Sequence, residues 1–360
     1  MLDAQEYPDP LAPPQPRLPG PPLYESPSGS GRPRLAESRT CAQDNLEGWL
    51  SARSADPLAE QHRWALVPPG KLLRPALLLE SAQALGGDPE QAGPVATGFE
   101  LIHAGSLIHD DIIDGDEERR GRAAAHSRFG VDRAIVAADA LFFAVFQTLG
   151  ECRLRGVPDR LIADVTAIIA EAGLDITRGA TMELDLSGVL HGDTETYLEV
   201  VRLKTAALLR AACRTGAVLA DGTAEQTDAL SDFGEALGIA FQIHDDLLPY
   251  TQPLAAAGKP RTSDLRNGRP VLPLLLAHLH GSDAERALLA GLLAEETDEE
   301  LRQERLHQLL EETGALKAAE HTANDHLDRC HSALELLPPS RHRRRLATLA
   351  DQYKTPETSR

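Results

Sequence analysis

The sequence predicts an all-α protein, and two observations carry that expectation. Hydrophobic residues make up 42% of the 360 positions while aromatics contribute only 4%. A chain so rich in Ala, Leu, Glu and Arg favours helices packed on aliphatic cores over sheets, which draw on aromatic and β-branched residues. From Cys41 to Gln352, apolar residues recur at spacings of three and four almost throughout, the period of a helix with one buried face. A helical domain over residues 41–355 follows.

The elements follow in order. Residues 1–40 hold ten of the chain's 25 prolines, with Gly and Ser between them. Such a stretch cannot build a helix interior or bury much surface, so it reads as a disordered tail. Leu72, Leu73, Ala76, Leu77 and Leu79 open an apolar run behind a proline-glycine break. Phe99, Ile102, Leu107 and Ile108 lead a second helix into an acidic cluster. Helical spacing returns over 160–185, 196–220, 225–250 and 269–280, with breaks at Pro158, Gly188, Gly192, Gly222, Pro253 and Gly258. Residues 283–312 are acidic and amphipathic, an outer helical region. No repeat period is evident.

A formal charge of −19 argues against a nucleic-acid partner, which needs clustered Lys and Arg. Cys41, Cys152, Cys213 and Cys330 are far apart with no CxxC pair, so neither a disulfide framework nor a zinc site is expected. A reducing, cytoplasmic setting fits. No membrane span is expected, because no 18-residue run is uninterruptedly apolar.

Two acidic clusters carry the chemistry. In Leu107-Ile108-His109-Asp110-Asp111-Ile112-Ile113-Asp114, Asp110 and Asp114 stack on one helical face, with Asp111 beside them. Like charges at that spacing repel, so a helix gains nothing from them. They make sense around a divalent cation, and hard oxygen ligands suit Mg²⁺ shared with substrate phosphates. The bland alternative is a solvated helix end, but the apolar residues before Asp110 make the helix emerge from a core. Phe241-Gln242-Ile243-His244-Asp245-Asp246 repeats the form about 135 positions later, like a second wall of one metal site. Cations complete the set: Lys71 and Arg74 one turn apart, Arg119 and Arg120, then Lys204, Lys259 and Arg269. Metal-held carboxylates with separate cations suit two pyrophosphates.

Taken in order, GKLLRP at 70–75, ELIHAGSLIHDDIID at 100–114, RRGRAAAH at 119–126, Lys204-Thr205, FQIHDD at 241–246 and GKPRTSDLRNGR at 258–269 resemble the trans-isoprenyl diphosphate synthases, most closely the geranylgeranyl type. The resemblance implies an isoprenoid-synthase-type helical bundle around a deep cavity, in a homodimer. It implies Mg²⁺, three ions with Mn²⁺ as a substitute, on Asp110, Asp111, Asp114, Asp245 and Asp246. Arg119, Lys204 and Lys259 would take an allylic diphosphate (dimethylallyl, geranyl or farnesyl). Lys71, Arg74, His103 and Arg120 would take isopentenyl diphosphate, with Thr205 and Gln242 at the reacting centre.

Some positions depart from that pattern. Pro249 stands where the second motif usually carries its last aspartate, and proline neither ligates metal nor continues a helix well. Leu72 replaces a usual Arg, Ala123-Ala124 a usual Pro-Thr, and Arg269 a usual Lys. Ser106 and Gly105, one turn before Asp110, are small where short-chain members carry an aromatic floor, which points to geranylgeranyl diphosphate. Phe142, Phe143 and Phe146 are candidates for a deeper floor. Two other functions compete: a terpene cyclase of the same fold, which would have no use for the second set of cations, and a non-catalytic subunit, which would be expected to lose the first acidic cluster.

Overall fold

Amphipathic spacing and capping chemistry explain where the helices of this chain begin, and the computed structural model describes residues 35–188, 190, 193–251, 269, 271–294 and 299–354. The proline-rich tail, as far as Arg34, lies outside the described residues. Helix α1 spans Ala36–Ala52, so helical structure starts five residues before Cys41. Helices α2 (Ala59–Leu66), α3 (Leu73–Ala84) and α4 (Pro89–Asp114) follow. The Asp88 carboxylate caps α4 by accepting the Glu90 N–H at 2.9 Å, with Pro89 at the first helical position.

A two-stranded antiparallel hairpin, β1 (Glu118–Arg119) and β2 (Arg122–Ala123), interrupts the helices, with Arg119 opposite Arg122. The helical period cannot forecast it, because four residues carry it. Then come α5 (Ala125–Phe129), α6 (Val131–Leu154), α7 (Asp159–Leu186) and α8 (Thr194–Val201). A π-turn over Arg202–Ala206 joins α8 to α9 (Ala207–Leu219), and α10 covers Ala224–Thr251. Beyond it lie α11 (Leu272–His280), α12 (Asp283–Ala294), α13 (Glu299–Glu312), α14 (Ala315–Glu335) and α15 (Arg341–Asp351).

Helix α4 packs along α6, α9 lies between α3 and α10, and α10 is backed by α14. The apolar residues form contiguous clusters around this frame, with Phe99 on α4 and Phe233 on α10 fully buried. Truncating either to alanine costs about 3–5 kcal/mol by the usual cavity rule. The last helix is fastened by a buried polar network. Glu80 on α3 is fully buried and accepts from Ser38 at 2.7 Å, pairs with His342 at 2.7 Å, and meets Arg345 at 3.3 Å. Its partners satisfy a charge that burial alone would penalise heavily.

Helix α6 is the one helix among the described residues long and apolar enough to cross a bilayer by length and composition, yet 44% of that window is buried inside the protein. Ala134, Ala138, Leu141, Val145 and Leu149 face the core. Its other side exposes Val136, Phe143 (71% exposed) and Phe146 (51%) to the surface. Phe143 and Phe146 therefore point away from the interior, and of the three phenylalanines considered for a deep floor only Phe142 packs against the core cluster.

Candidate functional site

The end of α4, the start of α3, the inner face of α7, the π-turn and the second half of α10 enclose a cavity of about 610 Å³. Ile176, Ala180, Val200 and Leu208 give it apolar walls, while its polar residues gather into an acidic side and a cationic side.

Backbone geometry fixes the reacting centre. The π-turn puts an extra residue into the helix at Lys204-Thr205, a distortion that often marks functional positions. Two glycines let neighbouring helices close on it. A Cβ on Gly179 of α7 would lie 2.5 Å from the Lys204 backbone nitrogen, and one on Gly238 of α10 would lie 2.6 Å from the Ala206 Cα. Neither contact is tolerable, so only glycine permits this approach. From the π-turn the Thr205 hydroxyl donates to Gln242 Oε1 at 2.9 Å. Gln242 Nε2 donates to Asp246 Oδ1 at 2.8 Å, and the Tyr197 hydroxyl to Asp246 Oδ2 at 2.6 Å. Asp246, expected as a metal ligand, thus orients Gln242.

Asp110 and Asp114 sit at the C-terminal end of α4, where carboxylates oppose the helix dipole and cost stability. Asp110 lines the cavity and meets Lys204 Nζ at 3.6 Å; Asp114 accepts from Arg269 Nη2 at 2.5 Å. Burial pushes the Asp110 carboxyl above the ordinary range, opposed by the Lys204 ammonium and reinforced by Asp114 and Glu183. Asp111 turns the other way: it is 2% exposed and receives Arg119 Nε on both oxygens, at 2.6 and 2.8 Å. Burial raises its pKa, with Arg119 opposing. Rather than reaching the cavity, Asp111 steadies Arg119, which does. Asp245 lines the cavity from α10.

Contrary to the expected break, α10 continues through Pro249 to Thr251. Proline can still supply no N–H to the Asp245 carbonyl one turn back.

Among the described residues no group of three His, Cys, Asp or Glu is gathered as a ready-made metal cage. Mg²⁺ takes one or two carboxylates and completes its shell with water and phosphate oxygens. Asp110, Asp114 and Asp245 supply hard oxygens of that kind, and Lys204 and Arg269 already bring positive charge to two of them.

The cationic side holds Lys71, Arg74, His103 and Arg120, all lining the cavity. Burial lowers the Arg74 pKa to about 10, partly offset by Glu100, so its guanidinium stays charged at neutral pH. His103 is pushed well below the usual imidazole range, first by desolvation and then by Arg74, Arg120 and Arg119. A neutral imidazole among three cations donates one hydrogen bond and accepts another. The Lys71 ammonium sits 5.9 Å from the Phe241 ring centre. Glu100, 5% exposed, balances Arg74 and Arg120; burial raises its pKa and the two guanidiniums lower it.

The structure therefore gathers Lys71, Arg74, His103, Asp110, Arg119, Arg120, Lys204, Thr205, Gln242, Asp245 and Asp246 around one cavity. Asp114 joins them through Arg269, while Lys259 lies outside the described residues. Sequence reasoning missed Glu183, Tyr197 and Glu100. Glu183 follows Ala180 and Ile176 on one face of α7, a carboxylate on an otherwise apolar stripe, and that was the available signal.

A family model described as polyprenyl synthetase matches residues 56–310. The short chain isoprenyl diphosphate synthase of Methanothermobacter thermautotrophicus is 35% identical over 310 residues, covering 86% of this chain and 94% of that protein. The geranylgeranyl pyrophosphate synthetase of Pyrococcus horikoshii superposes with a TM-score of 0.82 at 31% identity, over 90% of this chain and 97% of that one. A polyprenyl synthase from Caulobacter crescentus, solved with calcium and isoprenyl diphosphate, gives a TM-score of 0.79 at 30% identity, over 89% and 96%. With two acidic clusters and two sets of cations around one apolar cavity, the chain belongs to the polyprenyl synthetase family and is a prenyltransferase of the trans-prenyl diphosphate synthase type.

Proposed function

We propose that this chain is a Mg²⁺-dependent synthase that condenses isopentenyl diphosphate with an allylic diphosphate, with geranylgeranyl diphosphate as product. The observation that carries it is the pairing of two cation sets in one cavity. Lys204, Arg269 and Arg119 stand beside the aspartates, and Lys71, Arg74, Arg120 and His103 stand apart from them. A diphosphate on each set brings two substrates together, which a cyclase has no need to do.

Bound Mg²⁺ would be held by Asp110, Asp114 and Asp245 and would neutralise charge on the departing pyrophosphate. Lys204, Arg119 and Arg269 bind the same leaving group through charge-assisted hydrogen bonds. The allylic C–O bond breaks, its electrons leaving with pyrophosphate. The double bond of isopentenyl diphosphate then forms the new C–C bond. The proton lost from the carbon next to the new cation goes to the departing pyrophosphate. Gln242, held by Asp246 and Thr205, presents fixed dipoles beside the cationic centre. Holding the second diphosphate on Lys71, Arg74 and Arg120 aligns the two partners.

The cavity volume and the small Ser106 on its wall support a product longer than farnesyl diphosphate. Gly105 does not face the cavity; a Cβ there would meet the Phe142 ring at 3.0 Å. The exposed apolar stripe of α6 suits a second copy of the chain, giving a homodimer.

The test is an incubation of the chain with Mg²⁺ and geranyl or farnesyl diphosphate, with and without isopentenyl diphosphate. A lengthened diphosphate formed only when both substrates are present is the expected result. Rings formed without isopentenyl diphosphate would mean a cyclase, and inactivity until a second protein is added would mean a subunit.

A further inference from the structure

Two of the residues on the cationic side ride on short segments that meet outside the cavity. Lys71 follows Gly70 in the stretch between α2 and α3, and Arg120 sits at the turn of the β1–β2 hairpin. That hairpin has only two residue pairs, too few to be stable alone in water. Arg120 and Gly121 both take positive φ, 54° and 71°, as a two-residue turn of this hand requires. For an arginine that backbone is strained, and such strain persists only where neighbouring structure enforces it.

The Arg122 side chain supplies the enforcement. Helix α2 ends at Leu66, just before Pro68, so the Trp64 carbonyl lacks the N–H that position 68 would otherwise donate. Arg122 Nη2 donates to that carbonyl, and Nη1 donates to the Val67 carbonyl at 2.6 Å. A cation there also suits the negative end of the helix dipole. Trp64 returns the contact: its Nε1 donates to the Ala123 carbonyl at 3.1 Å, and its ring centre lies 4.5 Å from the Arg122 guanidinium. Beside this clasp the Arg120 guanidinium fills space that a side chain at Gly70 would need; a Cβ there would lie 2.6 Å from Nη2. Among the described residues no hydrogen bond holds the Arg120 side chain, so its aim depends on the backbone that carries it.

We propose that Arg122 is a positioning residue for isopentenyl diphosphate: it clasps the hairpin to the end of α2 and so presents Arg120 beside the Gly70-Lys71 segment. The inference rests on the reading that Lys71, Arg74 and Arg120 bind that substrate. Arg122 is not among the residues lining the cavity, and it acts through the backbone of its neighbours. The allylic side is insulated, because Arg119 has its own tether to both oxygens of Asp111.

The experiment is steady-state kinetics of the full chain with Mg²⁺, geranyl diphosphate and isopentenyl diphosphate. Arg122→Gln is expected to raise KM for isopentenyl diphosphate at least tenfold and KM for geranyl diphosphate less than twofold. Arg122→Lys keeps the charge but cannot fork across two carbonyls, so KM for isopentenyl diphosphate is expected to stay at least fivefold raised. A wild-type KM in Arg122→Lys would mean that charge alone acts, and equal rises in both KM values would mean general loosening. Either result overturns the proposal, as does no change in Arg122→Gln. Arg120→Gln tests the underlying reading separately: an unchanged KM for isopentenyl diphosphate there overturns that reading. A raised KM there with none in Arg122→Gln sinks this inference alone. If neither Arg122 variant folds, Trp64→Phe, which removes the N–H to Ala123 and keeps an aromatic ring, is expected to raise the same KM at least threefold, and an unchanged KM overturns the proposal.

Discussion

At the scale of single residues, His103 carries the most legible electrostatic signature. Its folded-state pKa lies well below the ordinary value. As pH falls below about 6.5, the unfolded chain takes up a proton that the folded site refuses, so stability drops by about 1.4 kcal/mol per pH unit from this one group. The raised carboxyls of Glu100 and Asp110 bend the profile in the opposite sense over their own range, so the comparison must be between variants. His103→Gln, which cannot titrate, should flatten the loss between pH 6.5 and 5 in denaturant melts; parallel profiles would contradict the assignment. Ser106 decides a different property. Its side chain lines the cavity and donates to the His103 carbonyl at 2.9 Å. Ser106→Phe should shorten the main product relative to the wild-type chain, from geranylgeranyl to farnesyl diphosphate if the proposed product is right, read by chromatography of the dephosphorylated alcohols. An unchanged product would place the floor elsewhere.

At the scale of elements, α10 shows how a helix absorbs a residue that ought to break it. It is continuous through Pro249 as far as Thr251, the last described residue of this segment, since a proline inside a helix can forfeit one backbone bond without ending it. The cost is chemical more than structural, because the position supplies no carboxylate. Pro249→Asp should therefore lower the Mg²⁺ concentration needed for half-maximal activity, by about threefold for roughly 0.7 kcal/mol of added ion attraction. An identical metal titration would show the position to be irrelevant. The π-turn is the complementary case. Its extra residue, clasped by Gly179 and Gly238, aims Lys204 at Asp110 while sending Thr205 to Gln242.

At the scale of the whole molecule, the exposed face of α6 matters most. Val136, Phe143 and Phe146 form an apolar stripe on a helix whose opposite side is packed into the core. Large exposed apolar patches mark interaction surfaces, and two copies meeting through this stripe would cover it. Replacing Phe143 and Phe146 together with Glu should yield a species sedimenting as a monomer while leaving the helical signal intact. A sedimentation coefficient equal to that of the wild type would remove α6 from the interface.

The helical fold, the two acidic clusters and the order of the cations were legible in the sequence alone, because each depends on spacing within one helix or one short motif. Asp110 and Asp114 share a face by the 3.6-residue period, wherever that helix packs. What tertiary structure decided is which atoms meet. It turned Asp111 toward Arg119, gave Asp246 to Gln242 and Tyr197, put Phe143 and Phe146 on the surface, and brought Glu183 between Lys204 and Arg269. Those outcomes depend on contacts between residues distant in the chain, and a local period fixes only which face a residue occupies, not what another helix brings against it.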